Sequence, residues 1–174
     1  MYKKVDAKLN FVDHEKEVVE FWQKNDVLKK IMKQNENGKL YSFYEGPPTA
    51  NGKPHIGHVL TRTIKDLFLR YHTMLGENVM RKAGWDTHGL PVELEVEKQI
   101  GSTGKQDIEK FGVEPFIAKC KENVWLYKDM WEKFSDRMGY TVDSEHPYIT
   151  YDTNYIESVW WSLSELHKKG YLYK

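Results

Sequence analysis

His55 and His58 stand three apart in the run His55-Ile56-Gly57-His58, at the end of a proline- and glycine-rich loop that begins at Gly46. Where such a pair opens a helix, both imidazoles lie on one side of its first turn. The backbone amides and the positive end of the helix dipole are there too, which makes a place for phosphate, and each imidazole can donate a hydrogen bond to a phosphate oxygen. Gly57 has no Cβ, so a flat ligand such as adenine can lie against the backbone. The spacing alone also suits a capping or core pair of histidines, or two metal ligands. A metal site needs a third His, Cys or carboxylate at ligand spacing, and this loop supplies none. Neither GxxxxGK[ST] nor GxGxxG occurs, so no P-loop or dinucleotide fingerprint competes. Asp86 is the second residue of interest. It follows a strand end and a turn glycine, where a carboxylate can face a ligand crevice, sit exposed on the surface or cap a helix. Its neighbour His88 can support such a site, pack in the core or make a local hydrogen bond.

The elements around these residues follow from periodicity. Asp13 to about Gln34 carries a helical apolar stripe (Val18, Phe21, Trp22, Val27, Leu28, Ile31), with Asp13 and Asp26 as candidate N-caps for two short helices or one bent one. Lys39 to Glu45 is rich in β-formers and runs into Gly46-Pro47-Pro48, which cannot continue a ladder. Ile56, Val59, Leu60, Thr63, Leu67, Tyr71 and Met74 recur at spacings of three and four, predicting an amphipathic helix that ends near Gly76. Glu77 to Arg81 reads as a second strand. Strand, loop, helix and strand make a βαβ unit with parallel pairing and a right-handed crossover, and ligands of such sheets sit at the strands' carboxyl ends. Beyond it the seam Phe116, Ile117, Cys120, Val124, Tyr127, Trp131, Phe134 and Met138 predicts one long helix, and a last helix runs from about Asn154 to Gly170. Glu93, Glu95 and Glu97 read as a solvated face.

The whole chain sets limits. Its 174 residues are 40% hydrophobic and 14% aromatic, enough to bury a core, while 26 basic and 26 acidic side chains cancel. That balance leaves no basic footprint for a nucleic-acid backbone, so strong binding of nucleic acid by this stretch alone is not expected. The opening residues carry no apolar signal-peptide core and no window approaches a membrane span, so the expectation is a soluble, cytoplasmic protein with no membrane partner. The single cysteine, Cys120, has no partner for a disulfide or a zinc knuckle and reads as a small buried apolar residue.

Two longer stretches narrow the reading further. YEGPPTANGKPHIGHVL (Tyr44 to Leu60) resembles the HIGH signature of the class I aminoacyl-tRNA synthetases in its isoleucyl form, and GWDTHGLPVELEVEK (Gly84 to Lys98) is similar to the same family's second block. Tyr155 to Lys174 is similar as well, so the resemblance covers essentially the whole chain. Valyl relatives instead resemble PPPNVTG followed by LHIGHA, and leucyl ones PYPSG.

The resemblance implies an α/β fold: the first half of a Rossmann-like catalytic domain, with short parallel strands in a βαβ unit, preceded and followed by helices. It implies an amino-terminal helical extension over residues 1–38 and the first half of the catalytic domain over 39–174, ending before the family's editing insertion. The implied activity is ATP-dependent activation of isoleucine and transfer of the acyl group to tRNA(Ile) in a complete enzyme, with ATP arriving as its Mg2+ complex. No metal site is expected in this stretch, and a monomer is expected. His55 and His58 are the implied catalytic residues, and His55, Gly57 and His58 the ATP contacts. Gly46 and Pro47 form a wall against the isoleucine side chain, and Asp86 meets its ammonium. The family's second half, with the KMSKS loop that holds pyrophosphate, has no counterpart in these residues, so the stretch alone is expected to be inactive or very weak. A valyl- or leucyl-type relative, or a non-catalytic nucleotide-binding module that keeps the HIGH half-site, are the alternatives.

Overall fold

The computed structural model of the chain describes Lys4, residues 7–49 and residues 52–174. Ala50 and Asn51 of the GPPTANG stretch lie outside the described residues. The elements in order are α1 (Phe11–Lys24), α2 (Val27–Gln34), β1 (Leu40–Tyr44), α3 (Ile56–Met74), β2 (Asn78–Trp85), α4 (Leu90–Ile100), α5 (Lys105–Phe111), α6 (Val113–Asn123), α7 (Lys128–Met138), β3 (Asp143–Ile149) and α8 (Thr153–Lys168). The strands form an open parallel sheet in the order β1-β2-β3. The β1-α3-β2 succession is the expected unit.

The chain divides into two compact units. The first comprises Met1–Phe43, Ile56–Met80 and Lys133–Thr141. Its entry helix is capped by Asn10, whose side-chain oxygen accepts from the Val12 amide at 3.1 Å, so the cap falls three residues before the expected Asp13. Asp26 does precede α2, in a left-handed conformation (φ 51°) that links two separate helices. Asn35 fastens the end of α2 with side-chain hydrogen bonds to the carbonyls of Thr73 (2.8 Å) and Glu77 (3.1 Å).

The helix α3 starts and stops where its spacing predicts, but it buries its polar side. Arg62, Asp66 and Leu69 are its buried residues. Most of the apolar stripe stays open, with Ile56 81%, Leu60 65%, Leu67 63% and Met74 77% exposed. The buried charges are all met. Asp66 accepts from the Thr141 amide (2.9 Å) and hydroxyl and from Arg70 Nε (2.6 Å), while Arg70 also donates to the Gly139 carbonyl at 2.6 Å. The Arg62 guanidinium donates to the Ser135 hydroxyl and lies 5.1 Å from the Tyr140 ring centre.

The second unit comprises Tyr44–His55, Arg81–Glu132 and Val142–Lys174. Its interior joins buried apolar side chains, Ala83, Trp85, Val92, Val96, Phe116, Val124, Trp131 and Val142, to the buried polar residues Glu45, Arg81, Thr87, Asn123 and Thr150. Fully burying each of the larger side chains contributes roughly 1.5–3 kcal/mol. Val92 and Val96 are four apart on α4, which packs against α6. Pro91 in its first turn favours the start of α4, and Gly101 in the left-handed region (φ 69°) closes it, with Ser102 N donating to the Glu97 carbonyl at 2.9 Å.

Three expectations change here. The seam from Phe116 to Met138 belongs to two helices, α6 and α7, with turns between Val124 and Tyr127. β2 runs on to Trp85, four residues beyond the expected Arg81, and pairs in parallel with β3 through Lys82–Asp143, Gly84–Tyr148 and Trp85–Ile149. β3 itself was not expected. Cys120 is half-buried where full burial was expected, and desolvation, followed by the nearby Glu93, pushes its thiol pKa up.

Candidate active site

In the second unit the chain leaves β1 at Tyr44 and immediately ties its backbone to neighbouring strands. The Glu45 amide donates to the Lys82 carbonyl at 2.8 Å, and the Tyr148 hydroxyl donates to the Glu45 carbonyl. Tyr148 fits because Gly84, its partner across the sheet, has no side chain. A Cβ on Gly84 would lie 2.3 Å from the Tyr148 ring. Burial first, then the nearby Tyr155, Glu45 and Asp86, push the Tyr148 phenol pKa above its ordinary value, so it stays protonated and able to donate. These contacts hold the stretch into Gly46, which is exposed, and Pro47, which is half-buried.

Asp86 follows directly on β2 and is joined twice to this same loop. Its amide donates to the Pro48 carbonyl at 3.0 Å, and its carboxylate Oδ2 accepts from the Thr49 hydroxyl at 3.0 Å. Thr49 and Asp86 also form a parallel bridge, extending the pairing past the strand ends. Asp86 is half-buried. It is thus neither a freely exposed surface carboxylate nor a helix cap, since Gly89 occupies that place before α4.

Next to it is a network of hydroxyls. The buried Thr87 donates its amide to Thr150 Oγ1 at 3.0 Å, their hydroxyls lie 3.1 Å apart, and Thr87 Oγ1 accepts from the Tyr151 amide at 3.1 Å. His88 Nδ1 lies 2.7 Å from the Thr150 hydroxyl, a hydrogen bond across 62 residues of sequence and not the local one expected. Together these contacts lock the turn after β2 to the turn after β3. Trp125 adds to this, with its indole N–H donating to Tyr151 Oη at 3.1 Å and its ring edge-on to Trp85 at 6.2 Å.

His55, exposed, is the last residue before α3, and Gly57 and His58 lie in the helix's first turn. His58 is half-buried and Gly57 exposed. The Gly57 carbonyl accepts the Thr61 hydroxyl at 2.9 Å, which fastens the first turn from within. His55 therefore closes a segment of the second unit, together with Gly46 and Pro47, whereas Gly57 and His58 open the long helix of the first. Side chains this placed at a helix amino terminus can hydrogen-bond an anion, and a carboxylate beside a proline- and threonine-bearing loop can hold an ammonium. Among the described residues no cluster of three or more His, Cys, Asp or Glu could hold a metal ion, and no helix is long and apolar enough to cross a membrane.

Four residues of this arrangement escape a reading by sequence pattern: Thr49, Thr87, Tyr148 and Thr150. Thr49 and Thr87 lie inside the two motif stretches, next to residues that were singled out. Tyr148 and Thr150 lie on or beside β3, whose strand character has no periodic signal.

Residues 17–174 match the family described as tRNA synthetases class I (I, L, M and V). Among relatives, an isoleucine–tRNA ligase of Clostridium tetani (strain Massachusetts / E88) is 58% identical over all 174 residues, and one of Bacillus thuringiensis (strain Al Hakam) is 53% identical over 172. In each case the chain spans 17% of the relative's length. Among solved structures, the ternary complex of Agrobacterium radiobacter K84 agnB2 LeuRS with tRNA and LeuAMS shares the fold. Its TM-score is 0.61 at 23% identity, over 87% of this chain and 17% of that one. Sequence match and fold agree: the chain belongs to the class I aminoacyl-tRNA synthetases.

Proposed function

We propose that this chain is the amino-terminal part of an isoleucine–tRNA ligase and supplies half of its adenylation site, with residues 39–174 as the first half of the catalytic domain. The observation that carries the isoleucine assignment is the 58% identity to an isoleucine–tRNA ligase over the whole chain, and the anchored Asp86 carboxylate beside Pro48 and Thr49 supports a place for the ammonium of an amino acid. In the reaction, a carboxylate oxygen of isoleucine attacks the α-phosphorus of ATP. The new C–O–P linkage forms as the bond to the bridging oxygen breaks, and pyrophosphate leaves with its magnesium. The ribose hydroxyl at the 3′ end of tRNA then attacks the acyl carbon and AMP departs.

No protein nucleophile takes part, so the residues act by placement and by stabilising charge as it develops. Asp86 holds the isoleucine ammonium, and Gly46 and Pro47 wall its side chain. His55 and His58 donate to phosphate oxygens, and Gly57 lets the adenine approach the helix backbone. tRNA binding rests largely on phosphate contacts, and because this stretch has no net basic excess we assign most of them to the rest of the longer enzyme.

The test is a chimera in which this chain replaces the matching 17% of the Clostridium tetani ligase. Isoleucine-dependent exchange of pyrophosphate into ATP is expected. His55→Ala and His58→Ala should each lower it about 10- to 1000-fold with isoleucine affinity kept. Asp86→Asn should instead weaken isoleucine binding more than about tenfold and leave ATP binding nearly unchanged. Loss of isoleucine affinity in the histidine variants, with turnover kept, would reverse the assignments.

A further inference from the structure

A carboxylate can hold an ammonium at a fixed place only if the carboxylate is itself fixed. An Asp side chain rotates about two bonds, and while its backbone narrows χ1, the torsion of the carboxylate about χ2 is broad and left open. Here the choice is made from outside. Thr49 Oγ1 donates to Asp86 Oδ2 at 3.0 Å, while the Asp86 amide is held by the preceding residue's carbonyl, that of Pro48, at 3.0 Å. Two consecutive residues of the loop therefore grip the backbone and the side chain of one aspartate. Threonine suits this because β-branching restricts its χ1, and the parallel bridge between Thr49 and Asp86 fixes the two backbones to each other. Among the described residues no other side chain donates a hydrogen bond to the Asp86 carboxylate.

We infer that Thr49 is a positioning residue for amino-acid recognition: its hydroxyl occupies Oδ2 of Asp86 and so aims Oδ1 at the ammonium of the substrate. This rests on the reading of Asp86 as the ammonium partner. The loop that carries the side-chain wall at Gly46 and Pro47 then also sets the ammonium site, so that both ends of the amino acid are located by one stretch of chain. Swapping the loop would move the two together.

The experiment compares isoleucine with 3-methylpentanoate, which has the same side chain and carboxylate but no ammonium, in the full-length chimera described above. Thr49→Val keeps the shape and removes the hydroxyl. It should weaken isoleucine binding about 10-fold, the cost of losing one hydrogen bond to a charged group, with 3-methylpentanoate binding unchanged and Thr49→Ser close to the parent. In the 174-residue chain itself, the carboxyl 13C resonance of Asp86 should move in Thr49→Val and not in Thr49→Ser, with or without ligand. Equal losses for the two ligands would make Thr49 a loop tether only, and an unmoved Asp86 resonance would remove the contact altogether; either overturns the inference. If Asp86→Asn itself left isoleucine binding intact, the ammonium reading of Asp86 would fall first and Thr49's role with it.

Discussion

Two helices, α3 in the first unit and α4 in the second, bury opposite kinds of side chain. On α4 the residues inside are Val92 and Val96, at 1% and 0% exposure, and they need only close contact with α6. On α3 the residues inside are Arg62 and Asp66, at 6% and 8%, alongside Leu69. Burying a charge is costly unless it is paired and hydrogen-bonded. The stretch from Ser135 to Thr141 supplies that pairing through one hydroxyl, one carbonyl and both donors of Thr141. Periodicity tells that a segment is helical. It does not tell which face goes inward, because that depends on what the facing segment offers.

The largest expected effect tests the polar interior. Asp66→Ala removes the acceptor of Arg70 Nε and of both Thr141 donors; Arg70 keeps the Gly139 carbonyl and is partly exposed, so the loss comes mainly from the buried Thr141 donors and is about 3 kcal/mol. Urea unfolding of the chain should show it as a large drop in midpoint. A change below about 1 kcal/mol would mean that water replaces the carboxylate and that the α3 interior is not tightly closed.

The apolar interior supplies the matching measurement. Val96→Ala removes two carbons from a fully buried site and leaves a small cavity, for an expected loss of about 2 kcal/mol. If this variant proved more damaging than Asp66→Ala, the contrast between the two helices would be reversed: the charged network would be dispensable and packing alone would hold both.

What could be read in advance divides along the same line. Strand β1, the loop and the start of α3 at Ile56 are marked by strong local signals, a run of β-formers, two prolines and a change of period. The motif stretches point to His55, His58 and Asp86 without any structure. The break between α6 and α7 is hidden because Val124 and Tyr127 continue the helical spacing through turns that contain neither Gly nor Pro. The end of β2 is hidden by Ala83 and Gly84, poor strand formers, of which Gly84 is required because Tyr148 covers it. β3 is hidden by its charges and Pro147, which are tolerated where it lies at the edge of the sheet order. The Thr87–Thr150 pair spans 63 residues, and no local rule reaches that far.

A smaller effect sharpens the picture of the second unit, where one hydrogen bond ties Tyr148 of β3 to the start of the loop after β1. Tyr148→Phe loses the hydrogen bond to the Glu45 carbonyl, at a cost of about 1 kcal/mol near neutral pH. The alkaline limb is diagnostic. Below the ordinary tyrosine pKa of about 10 the phenol is protonated in folded and unfolded chains alike, and the contribution is complete. Because burial raises the folded pKa, the unfolded chain releases the proton first as pH rises. Stability then falls through the window between the unfolded and folded values. Tyr148→Phe should flatten that fall. An unchanged alkaline limb would assign it to other groups.

The smallest effect is expected on the open side of α3. Leu67 is next to Asp66 in sequence but 63% exposed, whereas Arg62 and Asp66 are buried. A leucine that is already largely in water has little transfer free energy to lose, so Leu67→Gln should change the stability of this chain by no more than about 0.5 kcal/mol. The same substitution pattern read from periodicity alone would forecast the opposite, since Leu67 belongs to the apolar stripe and Asp66 does not. Urea unfolding at two protein concentrations tenfold apart decides it. A near-neutral result, independent of concentration, confirms that the helix is held by its polar face. A loss above about 1 kcal/mol that grows with concentration would show that the stripe is covered in solution by a second copy of the chain, and the charged network would then be only part of what holds α3 in place.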